Sequence, residues 1–148
     1  MSGLTHVIAY SINTDNPVLT SVVSGAIADY GPAEEVSPGS TGVSAHGGEL
    51  ELKLTRGTFR LNIADIDTKF IEGTSHEPVF PRTCSTYVSV SDAVPVVPGS
   101  GTGTYQGIAG TFAMTLTLNE VHDSPCTTSL SILRQVIVLS GAGQITTR

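Results

Sequence analysis

Residues 48–66 read GELELKLTRGTFRLNIADI. Leu50, Leu52 and Leu54 alternate with Glu49, Glu51 and Lys53; after Thr55-Arg56-Gly57, Phe59, Leu61 and Ile63 alternate with Arg60, Asn62 and Ala64. Successive side chains of a strand point to opposite faces, so this pattern predicts a β-hairpin with one buried and one wet face. Gly57 supplies the positive φ that a short hairpin loop requires. Carried one step further, the alternation puts Asp65 on the buried face, where desolvation would raise its pKa.

The same period recurs on either side. Residues 5–12 and 18–29 read as strands, joined by Asn13-Thr14-Asp15-Asn16-Pro17, a turn by its chemistry. Residues 30–48 and 73–83 are rich in turn formers and read as long loops. Residues 84–92 alternate; 94–98 are extended but carry two prolines, which suits a strand end. Residues 111–122 form the longest alternating run, with Phe112, Met114, Leu116 and Leu118 on one side and Thr111, Thr115, Thr117 and Asn119 on the other. Residues 130–140 are apolar on both faces, so cover is expected on both sides, from a loop or from a second copy of the chain. Residues 141–148 trail off polar. No window keeps a 3.6-residue period, so no helix is expected.

Composition agrees. Val, Ile and Thr, the β-branched types, are abundant. The 148 residues fit a single domain, 1–148. Seven or eight antiparallel strands with turn-rich joints make an all-β sandwich or closed barrel. Charged residues are only 14% and the net charge is -6, with seven Lys and Arg in all. That balance argues against a nucleic-acid partner. No apolar run reaches the ~18–20 residues of a membrane helix, so no membrane partner is expected.

Chemical motifs are sparse. The run Gly99-Ser-Gly-Thr-Gly-Thr-Tyr-Gln-Gly107 lacks the Lys of a P-loop and precedes strand-like sequence rather than a helix. His6, His46, His76 and His122 show no metal-ligand spacing, so neither a metal nor a cofactor is expected. Glu120 and His122 continue the apolar phase of their strand. They form an acid–base pair at the mouth of the interior, or a bend or bulge leaves both solvated. Arg134 lies in the most apolar strand and needs Glu120 or Asp65 as partner, or its head reaches a rim.

Cys84 and Cys126 have no zinc-type spacing. Bridged, they would close a 42-residue loop, worth about 4 kcal/mol on the chain-entropy model; the alternative is two buried thiols. The N-terminus has neither a basic nor an apolar leader region, so no signal peptide is expected. Localisation stays open: cytoplasmic if Met1 is native, extracellular if a leader was removed.

Residues 93–112, AVPVVPGSGTGTYQGIAGTF, resemble a stretch of the allene oxide cyclase–dirigent superfamily. The matching residues are Val96-Val97, Gly101-Thr102-Gly103, Tyr105, Gly107-Ile108-Ala109-Gly110 and Phe112. The hairpin and the Asp29-Tyr30-Gly31 loop are compatible with the same order. Pro81-Arg82-Thr83-Cys84, with its downstream cysteine, is more loosely similar to small bacterial β-proteins that look secreted. The superfamily resemblance implies an eight-stranded antiparallel β-barrel whose interior is filled or holds one small ligand. Members include plant cyclases acting on a fatty-acid epoxide, dirigent proteins steering radical coupling, and bacterial polyketide cyclases. All hold a flexible apolar substrate in a reactive conformation, so catalysis rests on proximity and orientation.

The expectation is therefore a cofactor-free cyclase or isomerase acting on a hydrophobic small molecule, such as a polyketide intermediate. Leu50, Leu52, Phe59, Leu61, Ile63, Tyr87, Phe112, Met114 and Leu116 would shape the substrate. Tyr10, Tyr105, Asp65, Glu120 and Arg134 would supply polar anchors or the catalytic groups. The rival expectations are a non-catalytic, secreted binding barrel closed by Cys84–Cys126, and an assembly role as a homo-oligomer. The absence of Trp and the scarcity of Phe make the expected aromatic lining thin.

Overall fold

The computed structural model describes residues 2–13, 18–126 and 131–147. Its strands are β1 (Ser2–Ile12), β2 (Val18–Gly25), β3 (Asp29–Val36), β4 (Glu49–Leu54), β5 (Gly57–Asn62), β6 (Ser85–Pro95), β7 (Ala109–His122) and β8 (Ile132–Thr146). One helix, α1 (Ala64–Gly73), follows β5. The chain is all-β in class: one eight-stranded sheet, antiparallel throughout, in the order β5-β4-β3-β2-β1-β8-β7-β6. No helix among the described residues is long and apolar enough to cross a membrane.

The sheet curls into a half-barrel around the alternating apolar positions. Val7 and Ala9, Leu50 and Leu52, Phe59 and Leu61, and Phe112 and Met114 all lie in one buried cluster. The β4–β5 hairpin is as its alternation predicts, with Leu54 paired to Gly57 across Thr55-Arg56. Gly57 has φ 151°, and a Cβ there would lie 2.2 Å from the Thr102 carbonyl oxygen. On the wet face Arg60 spans Glu49 at 3.2 Å and Glu51 at 2.9 Å.

The edge strands β5 and β6 meet at one end of the molecule. Leu61 bridges to Val96, and the segment after β6 runs along β5, with Val97 N–H donating to Arg60 O and Thr102 N–H to Thr58 O. At the other end α1 lies across the seam, and Lys69 Nζ reaches Ser91 O at 3.0 Å and Asp92 at 3.2 Å on β6.

Several expectations are corrected. The helix α1 overturns the expectation that the chain has no helix. Asn62 Oδ1 accepts the Ala64 N–H, turning the chain out of the sheet so that Ile66 packs inward. Asp65 therefore leaves the buried phase and stands exposed in the first helical turn, where a carboxylate suits the helix dipole. Residues 30–36 belong to a strand rather than to the start of a loop, and 85–95 are one strand through Pro95. The tail is also strand. Gly141 and Gly143 let β8 press against β7, where a Cβ would fall 2.1 Å from the Ala113 or Thr111 carbonyl oxygen. The start of β8 is not covered: Ile132 is 42% and Leu133 52% exposed, and Arg134 is exposed beside them. Residues 14–17 of the expected turn and Leu130 of the expected strand lie outside the described residues.

Candidate functional site

The two ends of the curled sheet differ in chemistry. At the end closed by the 96–104 segment, Asp29 is buried and saturated. It accepts the N–H groups of Tyr30 at 2.8 Å, Thr55 at 3.1 Å and Arg56 at 3.2 Å. The hydroxyls of Thr55 and Tyr105 also donate to it. Burial pushes its pKa up. The hydrogen bonds from the Thr55 and Tyr105 side chains and from the backbone outweigh that, holding the carboxyl well below the ordinary range. Tyr105 is fully buried, packs edge-on to Phe59 with ring centroids 5.5 Å apart, and has its phenol pushed up to about 12 by burial and by Asp29. This is a structural plug.

The opposite end, under α1, holds a cavity of about 250 Å3. Its apolar wall includes Leu19, Leu50, Ile63, Leu116, Ile137 and Leu139, and α1 contributes Ile66 and Phe70. Three of its polar residues, Glu35, His46 and Asp67, offer ligand atoms within 4.8 Å of one another. Glu35 Oε2 accepts the His46 N–H at 2.9 Å, and His46 Nδ1 lies 3.1 Å from Asp67 Oδ2. Burial, with the nearby Asp67 charge, raises the Glu35 pKa against the opposing pull of His46. Each element has a reason to be there. Glu35 is the next inward position after Ala33 on β3 and pairs with Leu50; Asp67 sits in the first turn of α1; the 37–48 loop carries His46 back over the rim.

Gln135, Ser11 and Ala45 complete the lining. Gln135 leads away from the cavity: its Nε2 donates to Glu120 Oε2 at 2.6 Å, across the β7–β8 pairing of Glu120 with Gln135. Glu120 and His122 are 3% and 2% exposed, so the pair stays inside, although a bulge does fall between Val121 and His122. His122 Nε2 lies 2.9 Å from Glu120 Oε1, but the contact is too poorly aligned to count as a hydrogen bond. Glu120 Oε1 and both ring nitrogens of His122 have no hydrogen-bond partner among the described residues. Glu77 completes the group, its ligating oxygen within 4.8 Å of those of Glu120 and His122. Burial and the neighbouring Glu120 carboxylate push Glu77 up to about 7, opposed by His122. Cys84 and Cys126 form a disulfide beside this cluster, with Cα atoms 5.7 Å apart, and Cys84 O accepts the His122 N–H at 2.7 Å.

Of the expected interior residues, Leu52, Phe59, Leu61, Phe112 and Met114 are packed core, while Leu50, Ile63 and Leu116 line the cavity. Tyr10 and Tyr87 are corrected. Each falls between inward neighbours, Ala9 for Tyr10 and Thr86 and Val88 for Tyr87, so Tyr10 faces the outer groove on β1–β3 and Tyr87 is 50% exposed. Tyr105 is in the plug rather than at the cavity, Asp65 is on the outside of α1, and Arg134 bonds only its neighbour Leu133 O among the described partners. Arg134 pairs with neither Glu120 nor Asp65, because Gln135, not Arg134, takes the inward position opposite Glu120. Glu35, His46, Asp67, Gln135 and Glu77 were not anticipated. The strand pairing and the helix bring them to the site, and only Glu35, two residues beyond Ala33, had an alternation that pointed inward.

Comparison of the chain with protein-family models, with curated proteins and with solved structures finds no match.

Proposed function

We propose that this chain binds a small apolar molecule with one polar end in the cavity under α1. We propose further that it acts on that molecule as a cofactor-free isomerase or cyclase of the allene oxide cyclase–dirigent kind. The carrying observation is the asymmetry of the cavity: an apolar wall of Leu, Ile and Phe, and a polar cluster of Glu35, His46 and Asp67. The wall would hold a flexible substrate in one conformation. Glu35, with a raised pKa, is suited to take a proton from carbon and return it. The eight curled antiparallel strands and the 93–112 motif support the superfamily resemblance. The volume, about 250 Å3, lies just under the ~300 Å3 lower end of ligand sites and favours a small substrate.

The test has two arms. 1-Aminoanthracene fluorescence reports binding, and Leu139→Trp, which fills the cavity, should weaken it by at least about tenfold. Exchange of the α-protons of cyclohexenone in D2O, followed by NMR, reports proton transfer. Glu35→Gln should abolish the catalysed exchange while leaving dye binding intact. Dye binding unaffected by Leu139→Trp would remove the cavity from consideration. The Cys84–Cys126 disulfide favours a second reading, a non-catalytic binding barrel of an oxidising compartment. Dye binding with no enzyme-dependent exchange selects that one.

A further inference from the structure

We propose that Glu77, Glu120 and His122 bind one divalent first-row transition-metal ion, with His122 Nε2, Glu120 Oε1 and a Glu77 oxygen as ligands. Glu77 and Glu120 crowd two carboxylates beside His122, with their ligating atoms within 4.8 Å of one another, and ionised carboxylates only accept hydrogen bonds. His122 does not serve them as a donor. Its ring sits 2.9 Å from Glu120 Oε1 in a poor alignment, and both its nitrogens lack partners among the described residues. Buried polar atoms are nearly always paired, and the orphaned Glu120 Oε1 and His122 Nε2, 2.9 Å apart on side chains each less than 4% exposed, mark a missing ligand. The three donors lie within 4.8 Å of one another, so small side-chain adjustments would bring them to bonds of about 2.0–2.2 Å from a shared ion. One imidazole and two carboxylates suit zinc and its neighbours better than calcium or magnesium, which prefer all-oxygen shells.

One surrounding group orients a ligand as metal sites require. Gln135 holds Glu120 Oε2 at 2.6 Å and leaves Oε1 free, a supporting contact of the kind that orients metal-bound carboxylates. Glu77 is half-buried and lies on the segment before β6, so it gives the ion a route in from solvent. The ion would tie that segment to the end of β7. Through Gln135, which also lines the cavity, it would fix one wall of the proposed binding site.

The test uses the full chain with its disulfide intact, freed of metal by a chelator. Calorimetry with Zn2+ should give one site per chain, and Co2+ should give a visible d–d absorption band. His122→Ala and Glu77→Gln should each abolish both signals; the half-buried Glu77 makes its variant the safer one for folding. Gln135→Ala should weaken Zn2+ binding by about tenfold. His46→Ala should leave it unchanged, since Glu35, His46 and Asp67 form the other grouping of such residues among those described. No Zn2+ uptake by the wild-type chain overturns the proposal. So does uptake that survives Glu77→Gln, or uptake lost in His46→Ala.

Discussion

Asp29 and Glu120 are both buried carboxylates, at opposite ends of one curled sheet, and they are treated in opposite ways. Asp29 receives three backbone N–H groups and two hydroxyls. Glu120 receives one amide from Gln135 and faces a histidine that does not properly donate to it. Burial of an acid is therefore not what marks a site. A saturated carboxylate is a fastener, holding turns together. A carboxylate left short of donors, beside another acid and an unpartnered imidazole, is a receptor for something else.

The largest effect expected is at the fastener. Asp29→Ala orphans several buried donors at once and should destabilise the chain by about 3–5 kcal/mol in urea unfolding. Replacing both Glu120 and His122 by Leu in chelated protein should cost nothing or stabilise by about 1 kcal/mol. Equal losses at the two ends would break the contrast. Reduction of Cys84–Cys126, whose loop spans 42 residues, should cost about 4 kcal/mol and loosen the cavity end before the plug, as read by hydrogen exchange on β6 and β7.

The two ends should also answer pH in opposite directions. The folded pKa of Asp29 is depressed, so its stabilisation is present above the unfolded value and is lost as pH falls below about 4. The folded pKa of Glu35 is raised, so its contribution is present below about pH 4 and is lost as pH rises through the folded value. Asp29→Asn should flatten the acid limb of a stability–pH curve, and Glu35→Gln the falling limb above it. The smallest effect expected is at Tyr87, on the outer face: Tyr87→Ser should stay within about 0.5 kcal/mol of wild type in the same melts.

The strands were legible where one phase was apolar and the other polar. The β4–β5 hairpin and β7 follow their alternation residue by residue, and β7's phase carried Glu120 and His122 indoors despite the bulge. Alternation misled at Asp65, because Ile63, Ile66 and Phe70 carry helical spacing within a segment too short to outweigh the period-two run before it. It also misled at the start of β8, where two apolar faces left the inward phase undecided, and at Tyr87, where the inward phase is carried by Thr86. The polar cluster of the cavity was illegible for a different reason. Glu35, His46 and Asp67 come from a strand, a loop and a helix, and only folding makes them neighbours.

The helix across the seam has a consequence for how large a guest the molecule takes. Along β5 the sheet edge is stitched by backbone hydrogen bonds, which come in fixed steps. Under α1 the gap is spanned by side chains, chiefly Ile66, Phe70 and Lys69, which yield gradually by changing rotamer. The pocket is thus upholstered on one side and masoned on the other, and its size is set by the identity of a few helix residues rather than by the register of the strands.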